Sequence, residues 1–233
     1  MATIAIFSSL RRRRTPYSEA FLAAVQLSDV ALVQMLFIVA NELISSFSNR
    51  AFPFQRKNSR LLIWKIEVFV VLFDFLRDSG STLSSTVVLC LKELYLLIYR
   101  SKTLLDYCSQ SIRLWLLLQN SSISGHFHDL NQEISTLLDV LPLKELSLTP
   151  DVREHLQLMR KQARRAKLFV DQHDENLRLH LYSFLDEFEQ GRILDAAELQ
   201  TFFIEKLGIQ EAKISRTEIE FIEEHIYNNE RGC

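Results

Sequence analysis

Nine residues of 233 are glycine or proline, five of one and four of the other, far below the usual ~7% and ~5%. Hairpin-rich folds spend these residues at nearly every chain reversal. A chain so poor in them is built from a few long elements, and long helices are the elements expected.

The polar residues agree. Between residues 17 and 47 there is no Gly or Pro, and Glu19, Gln26, Gln34, Asn41 and Ser45 recur at intervals that place all five on one narrow helical face. A single buried helix over 17–47 is therefore expected. Pro53 follows, and Arg60, Glu67, Asp74 and Arg77 form a second stripe through a strongly apolar run that ends near Gly80. Ser84 can cap a third helix running from Ser85 to about Leu105. A fourth is expected from Ser124 to about Val140, with Leu130, Ile134, Leu137, Leu138 and Leu141 in register and Pro142 closing it. Residues 111–120, with Trp115 and three consecutive leucines, leave strand, helix and packed connector all open.

Helices with such wide apolar arcs must bury one another. The fold class expected is all-α: a hydrophobic multi-helix bundle of four-helix type over 17–142, preceded by a basic tail at 1–16. Beyond it the composition shifts. Thr149-Pro150-Asp151 reads as cap, first-turn proline and first-turn acid. It opens a polar helix to about Asp171, with a break at 173–176. Asp195 with Glu198 and Ser215 with Glu218 have the spacing of capping boxes, and Gly191 and Gly208 separate them. Residues 149–182 carry seven basic and five acidic side chains, and 183–233 carry five and twelve. A charged helical extension over 149–227, packed on the bundle, and a tail at 228–233 complete the expected organisation.

The most apolar stretch, 61–76, has 13 apolar residues of 16 but is cut by Lys65, Glu67 and Asp74. A spanning helix needs about 20 predominantly apolar residues, so this stretch reads as a core helix. Cys90, Cys108 and Cys233 are odd in number with no CxxC spacing, which suggests neither a disulfide framework nor a zinc site and fits a reducing compartment. The sequon at Asn120-Ser121-Ser122 has meaning only in a secreted protein, and the apolar residues before Arg11 to Arg14 stand in the reverse order to a signal peptide. The arginines admit a transit peptide, a nuclear localisation signal or a solvated tail. Cytoplasm, nucleus or both is the location expected.

No phosphate loop, nucleophile elbow or HExxH pattern occurs, and no catalytic residue, cofactor, metal or small-molecule substrate is expected. His126 and His128 would point about 200° apart on a helix and lack further ligands. The pair His173 and Asp174 is weaker still. Arg153, Arg160, Arg164 and Lys167 are spaced 7, 4 and 3, and form a basic stripe flanked by Lys161 and Arg165. They are the candidate partner-binding residues. The plainer reading pairs the stripe with the chain's own acidic C-terminal part. Without interleaved aromatics, and with a net charge of −2, nucleic acid is not an expected partner. Protein partners come first, and a membrane surface, met through amphipathic faces and basic residues, comes second.

Segments 20–32, Cys90-Leu91-Lys92-Glu93-Leu94-Tyr95-Leu96-Leu97-Ile98, Ser111-Ile112-Arg113-Leu114-Trp115-Leu116-Leu117-Leu118-Gln119, 126–143, 160–167, 198–208 and 218–225 together resemble, in order, the N-terminal domain of plant U-box E3 ubiquitin ligases. The resemblance covers about 20–227, and none of its pieces is a catalytic motif. It implies a helical domain placed before a U-box and armadillo repeats, engaging targets and regulators while the U-box recruits the conjugating enzyme. The chain ends at Cys233, where such proteins continue toward the U-box. No residue here is therefore assigned the conjugating-enzyme contact, and the expectation is a non-catalytic interaction module: a ligase fragment, a truncated competitor or a stand-alone relative.

Overall fold

A computed structural model describes residues 27–80, 82–190 and 201–209. Among them are seven α-helices and no strand: α1 Asp29–Phe47, α2 Arg56–Ser79, α3 Ser85–Gln110, α4 Arg113–Leu118, α5 Asn120–Val140, α6 Pro150–Arg165 and α7 Gln172–Glu189. A π-helical turn, Phe202–Lys206, follows. The fold is all-α, as the scarcity of turn formers requires.

Several boundaries differ from the periodicity reading. The helix expected over 17–47 begins only at Asp29: Ser28 is extended (φ −66°, ψ 157°) and its Oγ accepts the Ala31 N–H at 3.4 Å. Ser28-Asp29 is a cap followed by a first-turn acid, a signal masked by the continuous apolar pattern around it. Residues 17–26 lie outside the described residues. α3 runs five residues past Leu105 and α5 starts four residues before Ser124. The open stretch 111–120 contains the short helix α4.

α6 opens at Pro150 as expected, but the Thr149 side chain makes no capping hydrogen bond. It closes at Arg165 rather than Asp171, since Ala166 is extended (φ −66°, ψ 124°). The expected break at 173–176 falls inside α7. Those residues start a helix: Asp171 Oδ1 accepts the His173 N–H at 2.9 Å, and Asp174 and Glu175 place acids in the first turn. The capping boxes at Asp195 and Ser215, and Gly191, lie outside the described residues.

By contact the described residues form two compact units, each gathered from separated stretches: those within 27–50, 58–105 and 125–168 in the first, and those within 51–57, 106–124 and 169–209 in the second. This partition is not the compositional one. α6 belongs with the first unit despite its charge, because Val152, Leu156, Met159 and Ala163 give it a buried stripe.

The first unit is centred on Leu32, Leu36 and Leu43 of α1, Ile66, Phe69, Leu72 and Phe73 of α2, Leu91 and Leu94 of α3 and Ile134 of α5, all essentially inaccessible. Of the expected stripes, Gln34 and Ser45 on α1 and Arg60, Glu67 and Arg77 on α2 face solvent, while Asn41 and Asp74 are half-buried. α2 stops at Gly80, whose φ of +56° suits a glycine past a helix end. Among the described helices only α1 is long and apolar enough to cross a membrane, by length and composition. That distinction falls on 29–47 and not on the 61–76 stretch singled out from sequence. Six α1 side chains are buried in the protein.

In the second unit α4 packs on α7, and Phe184, Phe202 and His180 form an aromatic cluster with centroids 4.7 to 5.2 Å apart. Arg113 donates to the carbonyl of Gly208 at 2.6 Å, tying down the residues that follow the π turn.

Candidate protein-binding surface

The candidate stripe lies on α6. At 100° per residue Arg153, Arg160 and Arg164 share about 40° of arc beside the buried face, and Lys161 and Arg165 lie roughly 100° further round. Lys167 does not join them: α6 has already ended at Arg165, and Lys167 stands exposed in the extended stretch that follows. The structure therefore brings together three of the four candidates.

All three are tied internally, two of them to an acid. Arg160 Nε and Arg164 Nη2 both pair with Asp139 at the end of α5, the second at 2.8 Å, and Arg164 Nε adds a bond at 3.1 Å. Hydrogen bonds from Arg164 and then Arg160 hold the Asp139 carboxyl below the usual range. Arg153 Nη2 donates to the Leu148 carbonyl at 3.4 Å. Among the described residues the acid that meets the stripe is Asp139, in the last turn of α5, which no pattern of net charge would single out; most of the acidic C-terminal part lies outside the described residues. Lys161, Arg165 and Lys167, all exposed, are the cations this arrangement leaves facing outward.

Reversing Arg160 and Arg164 to Glu sets two acids against Asp139. A small but measurable fall in the urea midpoint is expected, because exposed pairs contribute little, and Asp139→Lys in the same background should recover it. An unchanged midpoint in the double variant would show that the bridge contributes nothing.

The other sequence candidates resolve simply. His126 is half-buried; burial lowers its pKa, Asp129 raises it and Arg100 lowers it. His128 contacts Gln132 at 3.5 Å. No group of three or more potential metal ligands occurs among the described residues. Asp174 is buried and accepts the Gln55 N–H at 3.0 Å, while His173 is exposed. Cys90 and Cys108 are buried, and burial pushes both thiols up, Cys108 to about 12. Neither is a thiolate nucleophile at neutral pH.

Two buried polar groupings escaped the sequence reading. In the first unit Lys65, 3% exposed, donates to Asn131 Oδ1, and Asn131 Nδ2 donates to the Ala163 carbonyl at 3.1 Å. In the second, Gln55 bonds Asn120 and Ser124. Lys65 was visible as an interruption of an apolar run; Gln55 gave no signal. The first unit also carries an open groove of about 540 Å³ lined by Phe37, Ile38, Asn41 and Glu42 of α1 and Lys102 of α3, with the Arg77 guanidinium 4.3 Å over the Phe37 ring.

The family described as PUB10-like, N-terminal domain, matches residues 56–167. Over 99% of its length the chain is 58% identical to U-box domain-containing protein 17 of Arabidopsis thaliana, covering 34% of that protein. It is 32% identical over 94% of its length to U-box domain-containing protein 16 of the same plant and to U-box domain-containing protein 4 of Oryza sativa subsp. japonica, covering 32% and 30% of them. The chain thus spans about a third of the length of these relatives. No solved structure matches it.

Proposed function

We propose, from the premise that this chain belongs to the N-terminal domains of plant U-box proteins, that it is a non-catalytic protein-binding module acting in ubiquitination. The observation that carries the reading is the match of nearly the whole chain to one third of a U-box protein. Binding of targets or regulators is the role left to such a third when the ligase chemistry resides in the U-box. The outward cations Lys161 and Arg165 of α6 and Lys167 just beyond it, with Arg153 at the helix start, offer an acidic protein surface a charged face. The odd cysteine count without a CxxC spacing favours a reducing location, cytoplasm, nucleus or both.

Two measurements test this. Purified chain added to activating enzyme, conjugating enzyme, ubiquitin and ATP should yield no chain-dependent product, and robust polyubiquitin would overturn the non-catalytic part. Partner capture by the parent should fall at least tenfold in a variant with Arg153, Lys161, Arg165 and Lys167 changed to Glu, with melting unchanged. Equal capture would remove α6 from the interface. The length and apolarity of α1 support membrane association as the second reading, and flotation with anionic vesicles at low salt would favour it over a soluble adaptor.

A further inference from the structure

We propose that Thr149 is a phosphate acceptor for proline-directed serine/threonine protein kinases. Thr149-Pro150 is the one Ser/Thr-Pro pair among the described residues, since Pro53 follows Phe52 and Pro142 follows Leu141. The approach to it is anchored and alternates: Leu146 and Leu148 are buried, whereas Ser147 and Thr149 are exposed. Two buried leucines therefore hold the segment while the hydroxyl-bearing residues project outward. Thr149 itself is extended (φ −58°, ψ 153°), the conformation that a following proline enforces. Its side chain makes no capping bond to α6, so the hydroxyl has no helix bond of its own to give up, while the Thr149 carbonyl accepts the Arg153 N–H at 3.0 Å and holds the backbone to the first turn. An accessible, extended acceptor is what in-line transfer requires.

In the transfer, Thr149 Oγ1 attacks the γ-phosphorus of kinase-bound ATP. The bond from that phosphorus to the β,γ-bridging oxygen breaks, ADP leaves, and the hydroxyl proton passes to the kinase's carboxylate base. The product carries about −1.5 to −2 charge where Thr149 meets the first turn of α6. Arg153 reaches toward this point already, through its bond to the Leu148 carbonyl, and offers the phosphate a charge-assisted partner. Asp151 and Glu154 in the first turns, and Glu145 in the preceding loop, oppose it; Lys144 adds to Arg153. The acceptor role does not depend on the binding role proposed above.

The test incubates the full chain with a proline-directed kinase and Mg-ATP, with a Thr-Pro peptide as control of kinase activity, and maps sites by mass spectrometry. Thr149 should be modified, Thr149→Val should lose that site, and Pro150→Ala should slow it at least tenfold while leaving Thr15, which precedes Pro16, unaffected. Modification of the control peptide or of Thr15 without Thr149, or indifference to Pro150→Ala, would overturn the assignment. In a Thr15→Val background the phosphorylated chain should melt a few degrees higher, and Arg153→Gln should cancel the rise. A lower melting temperature would refute the Arg153 partnership.

Discussion

Asn131→Ala is expected to destabilise the chain by about 2 to 3 kcal/mol at neutral pH, with the loss shrinking as pH rises past 8. Lys65 on α2 is a lysine at 3% exposure whose hydrogen-bond acceptor is the Asn131 side-chain oxygen on α5. Burial lowers its pKa from 10.5 to about 8. Below about pH 8 the amine is charged in both folded and unfolded chains, and the folded state bears the full desolvation cost. Between 8 and 10.5 the folded amine is neutral while the unfolded one still holds its proton. The unfolded chain then binds more protons, so stability rises with pH across that window. Removing the Asn131 acceptor makes the buried charge worse served and lowers the folded pKa further, which is why the damage is greatest at neutral pH. It also strips a donor from the Ala163 carbonyl near the end of α6, a loss that pH does not repair. The raised pKa values of Tyr107 and Cys108, each about 12, work in the opposite sense, because their folded forms keep protons that the unfolded chain gives up. The comparison must therefore be variant against parent at each pH. Urea unfolding of Lys65→Met and of the parent at pH 7 and pH 10 isolates the amine: the variant should do relatively better at pH 7. A pH-independent difference would show that Lys65 folds without a penalty on its charge.

How much of this could be seen in the sequence depends on how local the cause is. The limits of α2 were legible because Pro53 and Gly80 bracket an apolar stripe with a helical period. The start of α6 was legible because Thr149-Pro150-Asp151 acts within a single turn. Its end was not: Arg160 to Lys167 reads as good helix former throughout, yet the chain turns extended at Ala166. α7 carried its own start signal in Asp171, Asp174 and Glu175, but a polar run reads equally well as a break until the hydrogen bond from the His173 N–H to Asp171 is seen. For the basic stripe, periodicity gave the shared flank of Arg153, Arg160 and Arg164, while the partner depended on which α5 side chain reaches α6. Net charge pointed to the acidic residues after 183, most of which lie outside the described residues; among the described residues the bridging acid is Asp139. Lys65 with Asn131 is the same case across 66 residues: one side chain interrupts an apolar run visibly, and the other is an ordinary asparagine until the helices pack.

Gln55→Ala is expected to cost about 2 to 3 kcal/mol, and Gln55→Gly about 1 kcal/mol less than that. Gln55 is buried in the second unit with φ of +58°, a left-handed conformation that glutamine enters at a cost. Its side-chain amide lies 2.6 Å from Asn120 Oδ1, 2.9 Å from the Asn120 carbonyl and 2.9 Å from Ser124 Oγ. Two amide hydrogens cannot serve three acceptors at once, so the Ser124 hydroxyl completes the set, donating to the Asn120 carbonyl at 3.0 Å or to Gln55 Oε1 at 3.2 Å. The backbone N–H meanwhile donates to Asp174, a bond that every non-proline substitution keeps. Asn120 passes the network on to Glu175 at 3.2 Å, and Glu175 pairs with Arg178. Truncation to alanine leaves buried Asn120 and Ser124 without their amide partner and retains the left-handed strain. Glycine loses the same amide but removes the strain, so the stability order should be Gln, then Gly, then Ala. Urea midpoints of the three chains decide the matter. A glycine variant as stable as the parent would mean that the amide network contributes nothing, and an alanine variant above glycine would mean that the backbone at residue 55 is not left-handed.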